Sequence, residues 1–272
     1  STMISESPRY LVSRHRIPEA RRVLTMLLGE KNMDITVTRI EESLAGEEKH
    51  SWRDLVKPGG GIYPIVWVGL LLSIFQQAVG INVIFYYSNM LWQAVGFEES
   101  QSNLISVFTS IVNVIVTIVA IMLVDRIGRR PLLLIGSIGM AISLTTMAVC
   151  FSTAEIIDGK PSLTGVVGVL ALVAANLFVI FFGVSWGPVV WVLLGEMFPN
   201  RIRGAALSLA AAAQWAANWA ITVTFPKMEG NLTLAYGLYA TFALLSLFFV
   251  YRFVPETKGK TLEDMDGNIP AR

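Results

Sequence analysis

Charge is scarce in this 272-residue sequence: 15% of residues are Asp, Glu, Lys or Arg, against 54% hydrophobic. Soluble domains carry about 25% charged residues, so the composition argues against a soluble enzyme and against disorder. Cysteine is scarcer still. The single cysteine, Cys150, excludes an intramolecular disulfide and a cysteine-cluster metal site. Both histidines, His15 and His50, lie in the polar first segment. Metal catalysis is therefore a poor expectation, and neither a metal nor a cofactor is expected. With 21 Lys+Arg against 20 Asp+Glu the formal net charge is +1, which gives no case for a nucleic-acid partner.

The charge that is present is segregated. Residues 1–60 are rich in Arg, Lys and Glu, and from Ile62 onward long apolar runs alternate with short polar connectors. Six runs are long enough to cross a bilayer, some with tilt or a break: 62–88, 103–124, 131–152, 165–195, 204–225 and 233–253. Backbone groups in lipid must be paired internally and no alternating strand-length segments occur, so the runs are expected to be helices. The fold expected is an all-α membrane protein of six transmembrane helices embedded in a lipid bilayer. Its expected parts are a cytoplasmic helical domain or linker over 1–60, the bundle over 61–254 and a cytoplasmic tail over 255–272.

Lysine and arginine set the orientation. Ten fall in residues 1–60, three after the second span (Arg126, Arg129, Arg130), two after the fourth (Arg201, Arg203) and four after the sixth (Arg252, Lys258, Lys260, Arg272). The remaining connectors hold only Lys160 and Lys227. Both termini are therefore expected on the cytoplasmic side. Within residues 1–60, Val23, Leu24, Leu27 and Leu28 recur at helical spacing after Pro18-Glu19, with Gly29 as a stop. A second short helix is expected over Asp34 to Leu44, with Ile35, Val37 and Ile40 on its apolar side. A third is expected near Trp52 and Leu55, before Pro58-Gly59-Gly60-Gly61 breaks the chain.

No Asp, Glu, Lys, Arg or His interrupts the interior of the apolar spans; Asp125, Glu196 and Arg252 sit at their ends. An intramembrane charge would point to an ion path, and its absence suggests that these helices handle something neutral. The spans carry amides, phenols and indoles instead: Gln76, Gln77, Asn82, Tyr86 and Tyr87 in the first, and Asn113 in the second. Trp186 and Trp191 lie around Gly183, Gly187 and Pro188 in the fourth; Gln214, Trp215, Asn218 and Trp219 lie in the fifth. A neutral polyol needs such chemistry. Each hydroxyl is donor and acceptor, amides offer both functions, and aromatic faces cover the C–H face of a sugar ring. Gln214 and Asn218 share one helix face. Gln77 and Asn82 differ by about 140° on an ideal helix, so one site uses both only if the helix is irregular or deeply embedded; Gly80 between them permits a local break. The alternative for any single amide is an interhelical hydrogen bond of about 0.6 kcal/mol. Trp67 and Trp92 read as interface anchors.

Three connectors place acids beside bases at a span end: Asp125-Arg126-Ile127-Gly128-Arg129-Arg130-Pro131, Glu196 through Gly204, and Pro255-Glu256-Thr257-Lys258-Gly259. Arg–carboxylate pairs are directional. Together the connectors suggest an ion-pair network that holds helix ends in one state.

These residues also resemble a known family. Gln76-Gln77-Ala78-Val79-Gly80-Ile81-Asn82 with Tyr86-Tyr87 is similar to the seventh-helix signature of major facilitator superfamily sugar porters. Asp125-Arg126-Ile127-Gly128-Arg129-Arg130 resembles their repeated loop motif, and Glu6-Ser7-Pro8-Arg9 their motif after the sixth helix. Trp186-Gly187-Pro188 with Trp191, Glu196 through Arg203, and Pro255 through Gly259 resemble the tenth-helix and C-terminal signatures. Ala212 through Asn218 and Phe253 through Glu263 are most similar to the bacterial D-xylose–proton symporter branch.

The resemblance implies the C-terminal half of a twelve-helix fold, with the N-terminal six-helix half missing from this chain. It implies sugar contacts at Gln76, Gln77, Asn82, Tyr86, Asn113, Gly187, Trp191, Gln214 and Trp215. It implies a conformational charge network of Glu6, Arg9, Asp125, Arg129, Arg130, Glu196 and Arg203, with Glu196 meeting Arg203. The expected function is transport of a neutral monosaccharide, D-xylose or a similar pentose or hexose, across the cell (inner) membrane by alternating access, proton-coupled in the complete protein. The alternatives are a facilitative hexose uniporter, a truncated non-transporting fragment and a sugar sensor. No catalytic constellation suggests an enzyme.

Overall fold

The computed structural model describes residues 6–28, 36–38, 40, 52–57, 59–94, 96–157, 160–163 and 165–259. The chain divides into two compact units, Ser1–Ser51 and Trp52–Arg272.

In the first unit, α1 (Pro8–Ser13) begins where the Ser7 hydroxyl accepts from the Tyr10 amide at 3.2 Å, with Pro8 in the first turn. Arg14 and His15 turn the chain, His15 taking the left-handed φ of 58°. The second helix, α2 (Ile17–Leu28), lays Ala20 and Leu24 against Leu11, Val12 and Val37. Arg16 clamps the turn through Glu6 at 2.9 Å and Glu19 at 2.6 Å. Its hydrogen bond holds the Glu19 carboxyl below the usual carboxylate range. Of the short helix expected over 34–44, residues 36–38 and 40 are helical, with Val37 buried; its other residues, the side chains of Leu27 and Leu28, and the Gly29 stop lie outside the described residues.

The second unit opens at Trp52. A 3-10 turn, Trp52–Leu55, belongs to it and not to the polar segment, because Leu55 is buried in the bundle core and Asp54 pairs with Arg201 at 3.1 Å. The tight turn through Gly60 and Gly61, both at positive φ, then delivers the chain to the first span. This span comes in three pieces: α3 (Pro64–Ala78), α4 (Ile81–Tyr86) and α5 (Ser88–Ala94). It is followed by α6 (Glu99–Ile127) and α7 (Arg129–Ser152), then a two-stranded ribbon of β1 (Glu155–Ile157) and β2 (Lys160–Ser162), antiparallel with Ile156 opposite Pro161. The fourth span divides into α8 (Gly165–Val184) and α9 (Trp186–Met197), and α10 (Asn200–Met228) and α11 (Leu232–Phe253) complete the bundle.

Among the described residues, five segments are long and apolar enough to cross a membrane: Pro64–Tyr86, Glu99–Ile127, Arg129–Ser152, Gly165–Met197 and Leu232–Phe253. The segment expected as the fifth of six spans is α10. It has the length, 29 residues, but its amides and many alanines make it less apolar than the others.

The core forms where α7 packs between α8 and α11, and where α3 packs along α10. Trp186, Phe178, Phe198, Phe225, Tyr236 and Tyr239 are fully buried there. Trp92 is buried too, its indole donating to Ser106 at 3.1 Å, so it is a core residue and not the interface anchor expected. Outward faces are as apolar as the core: Val107, Ile111, Val114, Ile118 and Ile121 on α6, and Leu244 and Phe248 on α11, are exposed. A contiguous apolar surface of this kind requires a non-aqueous neighbour.

Candidate functional site

The first span breaks between α3 and α4, and the break assembles an amide cluster. Gly80 adopts φ +84°, a left-handed conformation that a side chain rarely takes. A Cβ there would also fall 2.7 Å from the Tyr239 ring. The irregularity removes the angular separation of Gln77 and Asn82 on an ideal helix. The Asn82 amide donates to Gln77 Oε1 at 2.7 Å and to Asn218 Oδ1 on α10 at 2.7 Å. Thr222, one turn beyond Asn218, donates to the same oxygen at 3.4 Å, and the Tyr87 hydroxyl donates to the Thr222 carbonyl at 3.2 Å. A chain of uncharged donors and acceptors thus joins the first span and α10.

Gln76, one residue before Gln77, faces another element. Its Nε2 donates to the carbonyls of Trp186 and Gly187 at 2.8 and 3.1 Å, at the start of α9. Asn113 on α6 lies against Gly183 near the end of α8. Gln214 is buried, and the Oε1 atoms of both Gln76 and Gln214 are buried without a hydrogen-bond partner. Buried acceptors without partners are uncommon in native structures. The aromatic residues behave differently: Tyr86, Trp191 and Trp215 are 58%, 44% and 65% exposed. So the structure joins Gln77 and Asn82 directly, ties Gln76 to Gly187, and leaves these three aromatic residues open. Asn218, Thr222 and Tyr87 belong to the cluster although the family signature did not single them out for sugar contact. The spacing of Asn218 four residues after Gln214 was the signal for the first.

A groove of about 610 Å³ lies elsewhere, between α4–α5 and α6. Its lining includes Ser88, Asn89, Asn103 and Ser106 but none of the expected sugar contacts.

A second polar cluster forms where α6, α7, α9 and the segment after α11 meet. Arg129 holds Glu196 with two near-parallel bonds, Nε to Oε2 at 2.9 Å and Nη2 to Oε1 at 2.6 Å, and reaches Asp125 at 2.9 Å. The Thr257 hydroxyl donates to Glu196 at 2.6 Å. Glu256 accepts the backbone amides of Arg129 and Arg130, at 3.1 and 3.0 Å, and so caps the start of α7 with a carboxylate. Arg130 donates to the Tyr251 carbonyl at 2.9 Å, and Lys258 to the Arg126 carbonyl at 2.6 Å.

One expected pairing is corrected. Glu196 meets Arg129, while Arg203 donates to the Phe198 carbonyl at 3.3 and 3.4 Å. Arg129 is nearer because α7 starts beside the end of α9, whereas Arg203 turns back within its own connector. Glu6 pairs with Arg16 in the first unit, and the Arg9 side chain lies outside the described residues. Glu256 and Thr257 were visible in the third connector, but their partners were not.

An uncharged amide cluster at a helix break, within a bundle of membrane-length helices, marks a helical membrane protein. Residues 1–268 match the family model described as "Sugar (and other) transporter", and the chain belongs to that family, among the sugar porters of the major facilitator superfamily. It is 52% identical over 265 residues to the glucose transport protein of Synechocystis sp., covering 97% of this chain and 56% of that protein. It is 38% identical over 271 residues to the D-xylose-proton symporter of Escherichia coli, covering 97% and 52%. Among solved structures, the inward-open xylose transporter XylE from E. coli superposes with a TM-score of 0.74 at 37% identity, covering 97% of this chain and 52% of that one. The chain thus spans about half the length of the relatives it matches.

Proposed function

We propose that the chain supplies one wall of a monosaccharide path through the cytoplasmic (inner) membrane. In this reading it acts as the C-terminal six-helix half of a sugar porter, with both ends of the chain on the cytoplasmic side. The observation that carries the reading is the Gln77–Asn82–Asn218 chain, which offers amide donors and acceptors at a helix break with no charge to desolvate. Gln76, Gln77, Asn82, Gln214 and Asn113 present the polar contacts and the Gly187 backbone adds its own. Tyr86, Trp191 and Trp215 cover the apolar ring faces, Trp191 and Trp215 being open to do so.

Named relatives handle glucose and xylose, and D-glucose and D-xylose are the first substrates to test. Alternating access sets two halves rocking about a midplane site, so a second six-helix half completes the cavity. The Arg129–Glu196–Asp125 cluster, with Glu256 on the α7 start, latches helix ends on the cytoplasmic face in one state. The spans between these ends contain no carboxylate or histidine, so a coupling proton, where transport is a symport, binds in the other half.

Uptake tests the reading. The gene at its natural length, expressed in cells lacking their own sugar uptake, is expected to accumulate labelled D-glucose or D-xylose. Gln77→Ala and Trp191→Ala are each expected to lower uptake about tenfold or more. Unchanged uptake and competition in both variants overturns the site assignment.

A further inference from the structure

The fourth span is broken at a place that three other spans hold. Ser185 leaves helical geometry, with φ −131° and ψ −89°. Pro188 has no N–H to return to the carbonyl four residues back, so the sequence weakens the ladder there. The first turn of α9 is then held from two sides. On one side the Trp186 indole N–H donates to the Leu133 carbonyl at 3.2 Å and to the Ser137 hydroxyl at 2.9 Å. Ser137 in turn meets Ser246 on α11 at 3.1 Å. Gly136 lets Ser185 approach α7, since a Cβ there would overlap the Ser185 hydroxyl. On the other side Gln76 donates to the Trp186 and Gly187 carbonyls.

The Gln76 amide has one orientation available. Reversed, its oxygen would face two carbonyl oxygens with no donor between them. Both N–H groups are therefore directed at the break, and Oε1 is left buried without a partner.

We propose that Gln76 is a positioning residue that latches the first turn of α9 to the first span, and that a substrate hydroxyl engages this amide only through its oxygen. A hydroxyl donating to Oε1 polarises the amide and strengthens the N–H bonds at the break, as linked hydrogen bonds do. Substrate occupancy is thereby transmitted to the segment that carries Trp191 and, at its far end, Glu196. The latch stands on the geometry of Gln76 and α9; the second half of the proposal rests on the monosaccharide reading above.

Hydrogen exchange of the natural-length protein in lipid nanodiscs tests both halves. Gln76→Leu is expected to speed amide exchange over residues 182–190 about fivefold or more, with residues 205–217 unchanged as a report of intact folding. Gln76→Met, which keeps the side-chain length, shows the same effect and serves if the leucine variant does not fold. Trp186→Phe loosens the same turn from its other side. D-Glucose or D-xylose is expected to slow exchange over 182–190 in the unsubstituted protein and to leave the Gln76 variants unaffected. Unchanged exchange in both Gln76 variants overturns the latch. A sugar effect that survives in them overturns the coupling. No response of the unsubstituted protein to any monosaccharide overturns the substrate reading, and with it the second half, while the variants still measure the latch.

Discussion

At the residue scale the decisive atom is Asn82 Nδ2, which donates at once to Gln77 and to Asn218 across two spans. Replacing Asn82 with aspartate substitutes an acceptor for that donor and sets a carboxylate against two carbonyl oxygens. Asn82→Asp is therefore expected to abolish sugar binding, whereas Asn218→Ala, which removes one acceptor, weakens binding about tenfold with a melting temperature nearly unchanged. Titration of sugar against the purified natural-length protein, beside a thermal melt, separates the two effects. Arg129 carries the matching role in the ionic cluster. It is nearly buried and holds Glu196 bidentately, a geometry that lysine cannot reproduce. Arg129→Lys is expected to cost about 1–3 kcal/mol of stability, less than for a fully buried pair because Glu196 retains solvent contact. A scanning-calorimetry melt reads it. Arg203→Ala is expected to cost less, since it gives up only bonds to the Phe198 carbonyl.

At the element scale the breaks matter more than the helices. Gly80→Ala is expected to destabilise the bundle by about 1–3 kcal/mol, because its φ of +84° disfavours a side chain and a Cβ would press on Tyr239. Thermal unfolding checks this. That first break was partly legible in the sequence: Gln77 and Asn82 could share a site only on an irregular or deeply embedded helix, and Gly80 permitted the irregularity. The helix extents were legible as well, because long uncharged runs bounded by charge leave little freedom. The position of the fourth-span break was not. Gly183, Gly187 and Pro188 marked the neighbourhood, but the break settles at Ser185 through contacts with Gly136, Leu133 and Ser137 on another helix. Nor were the long-range contacts of the 3-10 turn legible. Trp52–Leu55 lies upstream of the glycine run, and only the distant Asp54–Arg201 pair and the burial of Leu55 assign it to the bundle. Pairings over long sequence separations also explain why the connector sequence points Glu196 to Arg203 whereas Arg129 meets it.

At the scale of the whole molecule, low charge, apolar outward faces and an uncharged polar interior have one common cause. A bilayer takes the faces of α6 and α11, and in the proposed function a hydroxyl-rich solute takes the amides. The family assignment fits this division. The most direct measurement is a structure of the natural-length protein with D-glucose or D-xylose at saturating concentration. The account predicts sugar hydroxyls within about 3.2 Å of Gln77, Asn82 and Gln76 Oε1, with a ring face against Trp191. A sugar bound away from the Gly80 and Ser185 breaks, with these amides bonded only to one another, would contradict it.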